Sequence, residues 1–234
     1  MHQFFVSHID DNNLITLPED EAKHFRVLRL TEKDDIYVTD GKGTQCKVKV
    51  KEISKKRVVL DVLEKKVFPL PSQKLIIAIA PTKGNERFEW FLEKAVELGV
   101  TDILPFYSKF SERKKINQIR IKKIMVAALK QSMRAYLPKV EEIKSFTGLL
   151  HLPNDNSGHY FIAHCRKKDL QLLKENKLSG ENICVLIGPE GGFSDNEIEE
   201  ALAAGWQEVS LSKNRLRTET AALAATLTIK IFRE

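Results

Sequence analysis

Residues 186–194 read Leu-Ile-Gly-Pro-Glu-Gly-Gly-Phe-Ser and concentrate unusual chemistry in nine positions. Gly188, Gly191 and Gly192 leave the backbone uncovered, Pro189 bends it, and Glu190 adds one negative charge. Such a turn offers bare peptide groups to a ligand. It is neither the spaced-glycine dinucleotide pattern nor the lysine-containing nucleotide loop, and Glu190 would repel a phosphate. A neutral or cationic ligand with hydrogen-bonding edges suits it better, for example an adenosine moiety carrying a sulfonium. The competing reading is a tight turn that only closes the fold.

The turn needs a strand before it and a helix after it. Residues 183–185 are a short apolar run, and 195–204 have helical composition, with Ser194 as N-cap and Glu197 completing a capping box. From about residue 75 onward strand and helix alternate. Strands are expected at 74–80, 102–107, 160–165 and 208–211, and helices at 85–98, capped by Asn85 and closed by Gly99, and at 116–134. A short helix is expected around Leu170, Leu172 and Leu173. The fold class is α/β with a largely parallel sheet, whose ligands sit outside the carboxyl ends of the strands. That gathers three loops, 81–84, 188–194 and 212–217. Connection rules alone give an ordinary open sheet. The terminal helix is apolar on nearly every side until Lys230 and Arg233, so it is expected to be buried in the domain or against a second copy, a homodimer.

Residues 1–68 read as a small basic module of short strands, 69–73 as a proline-containing linker, and 74–234 as the α/β domain. A hairpin is expected at Asp40 to Gly43, and a short helix after Pro18 with Ala22, Phe25, Val27 and Leu28 on its apolar side. In the strand after the hairpin, Cys46, Val48 and Val50 alternate with Lys47, Lys49 and Lys51. With Arg26, Arg29 and the run Lys55-Lys56-Arg57, those lysines are read either as a nucleic-acid surface or as a solvated strand face. The net charge of +6, from 38 basic against 32 acidic residues, favours a polyanionic partner without requiring one. Three widely spaced cysteines, Cys46, Cys165 and Cys184, read as reduced core residues, and the six histidines show no ligand spacing, so no metal is expected. No export signal or membrane span is read, which places the chain in the cytoplasm.

The motif at 188–194, followed by Leu216-Arg217-Thr218-Glu219-Thr220-Ala221, strongly resembles the bacterial RsmE family, SPOUT-class methyltransferases that modify N3 of a uridine in 16S ribosomal RNA. Supporting pieces are residues 24–29, the Asp40-Gly41 turn, Lys83-Gly84, residues 94–100 and Gln131-Ser132-Met133-Arg134, so the resemblance covers the whole chain. It implies a PUA-like β-barrel domain that binds RNA, a SPOUT domain with a trefoil knot that binds S-adenosylmethionine, and a homodimer acting on 16S rRNA or the small ribosomal subunit. Carried onto this sequence, it implies Leu186, Gly188, Pro189, Glu190, Gly191, Gly192, Leu211, Leu216 and Thr218 around the cofactor. Arg26, Arg29, Lys47, Lys49 and Lys83 are implied on the RNA. Arg217, Glu219 and Arg134 are implied at the reaction: Arg217 as a cation near the uracil carbonyls, Glu219 as proton acceptor or brace for Arg217, and Arg134 on a phosphate or in the partner's site. The chain departs from the family pattern at Ser212, where a glycine is usual, and at Asn214-Arg215-Leu216, where the lead is usually more apolar. Rival readings are a ribose 2′-hydroxyl methyltransferase, whose relatives carry a Ser-Leu-Asn element near this helix, and a non-catalytic ribosome-assembly factor.

Overall fold

The computed structural model describes every residue except 32–33, 55–56, 156–157, 177, 179–181 and 234, so Lys55 and Lys56 lie outside the described residues. The chain packs as two compact units, Met1–Leu70 with Met125–Leu137, and Pro71–Ile124 with Pro138–Glu234.

In the first unit, strands β1 (His2–Phe5), β2 (Leu14–Thr16), β3 (Ile36–Thr39), β4 (Thr44–Ile53) and β5 (Val58–Val67) form a sheet in the order β1-β3-β4-β5-β2. β1 and β3 run parallel and the other pairs antiparallel. The β3–β4 hairpin closes as expected, with Asp40 Oδ1 accepting from the Lys42 and Thr44 amides at 2.8 and 3.1 Å. Helix α1 (Glu19–Val27) follows Pro18 and buries Ala22 and Phe25 against Phe4, whereas Val27 is exposed, outside the apolar face expected of it. The second half of β5 eludes a reading by alternation, because Leu63 and Val67 are exposed.

The residues after Met125 enter this unit through backbone bonds. Gln3 Nε2 donates to the Leu129 and Arg134 carbonyls at 3.0 and 2.9 Å, and the Gly43 amide donates to the Ala135 carbonyl at 2.9 Å. A Cβ on Gly43 would lie 2.2 Å from the Tyr136 hydroxyl oxygen, so glycine there makes room for that residue.

In the second unit, β6 (Lys74–Ile79), β7 (Asp102–Tyr107), β8 (Lys139–Val140), β10 (His159–Ala163), β11 (Asn182–Ile187) and β12 (Gln207–Val209) lie in the order β12-β10-β11-β6-β7-β8, and β9 (Lys144–Ser145) adds to β7. Each of these ladders is parallel. β6 and β11 are the central strands and nearly wholly apolar, as a sheet covered on both faces requires.

Helix α2 (Asn85–Leu98) ends at Gly99 with φ 73°, but Gly84, not Asn85, sits at its N-cap. The Asn85 side chain instead accepts from Arg113. Helix α3 is Gln118–Gln131, shorter than expected at both ends, and in place of a helix near Leu172 there is one 3₁₀ turn, Leu173–Glu175. Helix α4 (Asp195–Ala203) has the expected capping box: the Glu197 amide donates to Ser194 Oγ, and Glu197 Oε2 accepts from the Ser194 amide at 2.8 Å. Helix α5 (Thr218–Arg233) buries Ala222, Ala225, Thr226 and Ile229 but exposes Leu227, Ile231 and Phe232. Cys46 and Cys184 are buried thiols and burial raises the pKa of both; Cys165, expected in the core, is exposed because β10 ends two residues earlier.

Candidate methyl-donor site

The carboxyl ends of β10, β11 and β12 open onto one cavity of about 380 Å³. Its floor is the turn after β11, from Ile187 to Phe193. One wall is the stretch from Ser210 to Leu216, with Thr218 and Ala221 of α5, and the other is residues 163–166 beyond β10. Two bends distant in sequence therefore meet. Thr218 Oγ1 donates to the Gly188 carbonyl at 3.0 Å, and the Arg215 guanidinium donates to the Glu190 carbonyl at 3.4 Å.

Each glycine of the turn has its own reason. A Cβ on Gly188 would lie 3.0 Å from the Phe193 ring, one on Gly191 would lie 2.7 Å from Phe110 Cβ, and Gly192 has φ 71° with open space around it. Phe193 anchors the turn from below, stacked on Phe106 at 6.1 Å and tilted against Phe146 at 5.7 Å. Glu190 Oε1 accepts from the Lys83 amide at 3.0 Å, which ties the 81–84 loop to the rim. Ser212 does not disrupt the wall: its Oγ accepts from the Asn214 amide at 3.1 Å, and its carbonyl accepts from Ser210 Oγ at 2.9 Å.

Of the residues expected at a cofactor, Gly188, Pro189, Glu190, Gly191, Gly192, Leu211, Leu216 and Thr218 line this cavity. Leu186 does not. It is fully buried in the sheet and paired across to Ala78 and Ile162.

Arg217 lies between two lining residues, its carbonyl starting α5 and its side chain exposed without a carboxylate partner among the described residues. Glu219 does not brace it. The Glu219 carboxylate is buried, its Oε1 3.8 Å from Arg87 Nε of α2 and its Oε2 without a hydrogen-bond partner among the described residues. Arg134 belongs to the other unit, where its carbonyl accepts from Gln3.

The residues expected on RNA are mostly engaged. Arg26 donates to the Ser54 carbonyl at 2.9 Å, Arg29 lies two residues beyond α1 with φ 52°, Lys47 pairs with Asp35 at 3.0 Å and Lys83 with Glu112 at 2.9 Å. Lys49 is exposed on β4, without a carboxylate partner among the described residues.

Residues 163–166 escaped sequence reasoning because they carry no motif. His164 is the informative one. Its Nδ1 accepts from the Arg166 amide at 3.4 Å, which leaves the proton on Nε2, 3.4 Å from Glu208 Oε2. Burial pushes the His164 pKa below its usual value, against the pull of Glu208. The wall residue is thus held neutral. Among the described residues no group of His, Cys, Asp and Glu could hold a metal ion, and no helix is long and apolar enough to cross a membrane.

Comparison with known proteins gives this geometry a family. Residues 69–230 match the RNA methyltransferase domain and residues 17–63 the RNA methyltransferase PUA domain. The chain is 31% identical to the ribosomal RNA small subunit methyltransferase E of Mesomycoplasma hyopneumoniae, over 95% of this chain and 96% of that protein. The crystal structure of a probable rRNA-methyltransferase from Porphyromonas gingivalis superposes with a TM-score of 0.89 at 34% identity, covering both chains completely. That of the Neisseria gonorrhoeae ribosomal RNA small subunit methyltransferase E bound to S-adenosyl methionine superposes with a TM-score of 0.87 at 29% identity, over 99% and 98% of the two chains. With a PUA-like domain ahead of a parallel-sheet methyltransferase domain, the chain belongs to the RNA methyltransferase family that includes the ribosomal RNA small subunit methyltransferases E.

Proposed function

We propose that this protein transfers a methyl group from S-adenosylmethionine to N3 of a uridine in 16S ribosomal RNA. The observation that carries the reading is the cavity where the 188–193 turn and the 210–216 wall close on each other through Thr218 and Gly188. Its fit to the donor rests on this chain's own atoms. Three glycines expose main-chain edges that a Cβ would fill or strain, the Glu190 carboxylate at the rim suits a cation, and neutral His164 adds no opposing charge. When bound, the donor supplies an electrophilic methyl group.

The remaining work is alignment and handling of one proton. Uracil N3 lies between two carbonyls, so loss of its proton places negative charge on their oxygens. The exposed guanidinium of Arg217, flanked by two residues of the cavity wall, is suited to stabilise that charge. Glu219 contributes a buried carboxylate at the same helix start, with Oε2 free to accept a hydrogen bond. In the R217A variant, calorimetry should show donor binding within a fewfold of wild type while methylation falls by about 10²–10³. Unchanged turnover would remove Arg217 from the reaction.

The same reading includes a homodimer, supported by exposed Leu227, Ile231 and Phe232 on α5, and a cytoplasmic site of action beside its RNA. It also includes a trefoil-knotted trace, which the family resemblance implies.

A further inference from the structure

Residues 109–115, Lys-Phe-Ser-Glu-Arg-Lys-Lys, lie between β7 and α3 and line none of the donor cavity, yet they are built onto it. Phe110 packs against Gly191, and the Lys109 amide donates to Glu197 Oε1 at 2.8 Å. Ser108 and Ser111 close a turn, the Ser108 amide donating to Ser111 Oγ at 3.0 Å. Arg113 donates to the Lys83 carbonyl at 2.9 Å and to Asn85, and Lys83 in turn donates its amide to Glu190. A hydrogen-bonded path thus runs from Arg113 through Lys83 to the rim of the cavity.

This strap walls a separate open recess of about 490 Å³, lined by Lys83, Glu112, Arg113, Lys114 and Lys115. Four cations face one carboxylate there, and Lys83 Nζ holds that carboxylate at 2.9 Å. Lys114 and Lys115 are exposed and have no carboxylate partner among the described residues; the Lys114 ammonium lies 5.5 Å from the Tyr107 ring centre. Like charges gathered in a concave site repel one another and favour an anion. A recess of this charge, fixed by main-chain bonds beside a base-modifying site, is suited to phosphate, which positions a nucleic acid without reading its sequence.

We propose that this recess is a phosphodiester subsite of the methyltransferase unit, with Lys114 and Lys115 holding the RNA backbone next to the nucleotide whose base enters the donor cavity. The proposal rests on the RNA methyltransferase reading above; of the residues that the sequence alone suggests on RNA, Lys83 lines this recess and the other four belong to the N-terminal unit.

The test is charge reversal in the full chain, K114E/K115E, beside K122E/K123E, which makes the same change at exposed positions of α3. Three quantities are read: the salt dependence of binding to a uridine-rich single-stranded RNA, the KM for 16S rRNA, and the affinity for S-adenosylmethionine by calorimetry. Loss of two phosphate contacts should flatten the slope of log K against log salt by about 1.4, at roughly 0.7 per contact on a single strand. K114E/K115E should show this flattening and a KM raised about tenfold, with donor affinity unchanged, and K122E/K123E should show a much smaller effect. Equal slopes in wild type and K114E/K115E, or an equal loss in both variants, would overturn the subsite. Wild-type protein that binds RNA but transfers no methyl group would overturn the methyltransferase reading instead, and the slopes would still decide the recess.

Discussion

Gly191 and Gly192 are neighbours with different physical roles, and that difference can be measured. A methyl group at Gly191 meets Phe110 Cβ, which belongs to a strap fixed by Glu197 and cannot easily retreat. At Gly192 a methyl group meets nothing and only the positive φ is strained, which costs about 1 kcal/mol. G191A should therefore weaken S-adenosylmethionine binding at least tenfold by calorimetry, and G192A only a fewfold; the reverse order would show that Phe110 does not shape the turn. The glycine turn was legible in the sequence because glycine is the residue that such backbone requires. Phe110 was not, since an aromatic residue in a charged loop signals nothing until the chain folds back on Gly191.

Three elements, α4, α2 and β10, were also unequally legible. The capping box at Ser194 placed α4 correctly, because cap and acceptor are three residues apart in sequence. The cap of α2 was misassigned, because Asn85 meets a tertiary partner, Arg113, that outcompetes the local cap. The end of β10 was read two residues long, which hid Cys165 and His164 among core residues. The folded-state pKa of His164 is lowered, so between that value and about 6.5 the unfolded chain binds more protons, and stability rises with pH across that window. The His164 contribution is fully present above pH 6.5 and is lost as pH falls toward the lowered value. In scanning calorimetry the gap between the melting temperatures of wild type and H164Q should shrink as pH falls from 7.5 to 5.5; a gap that is constant or widens would contradict the burial of a neutral imidazole.

At the scale of the whole molecule, composition and alternation gave two domains along the chain, but no local signal reveals that residues 125–137 pack with the N-terminal unit. The bonds that hold them there, from Gln3 and Gly43 and from the Tyr136 hydroxyl to the Phe68 carbonyl at 2.8 Å, link residues more than 60 positions apart. Deleting residues 1–70 should leave those backbone groups unpaired and the apolar side of that segment bare, so the truncated chain should melt several degrees lower or aggregate. An unchanged melting temperature would show that the segment does not depend on the N-terminal unit. The strand order belongs to the assembled sheet and no local signal gives it, whereas the meeting of the 188–194 and 212–217 loops followed from the alternation of strand and helix, which puts ligand loops at the carboxyl ends of the strands.

The most direct measurement of the central claim is nucleoside mass spectrometry of 16S rRNA, taken from small subunits that lack this modification and incubated with the protein and methyl-labelled S-adenosylmethionine. The account predicts label in a single uridine, on the base at N3. Label on a ribose hydroxyl, on another base, or on no nucleotide would contradict it.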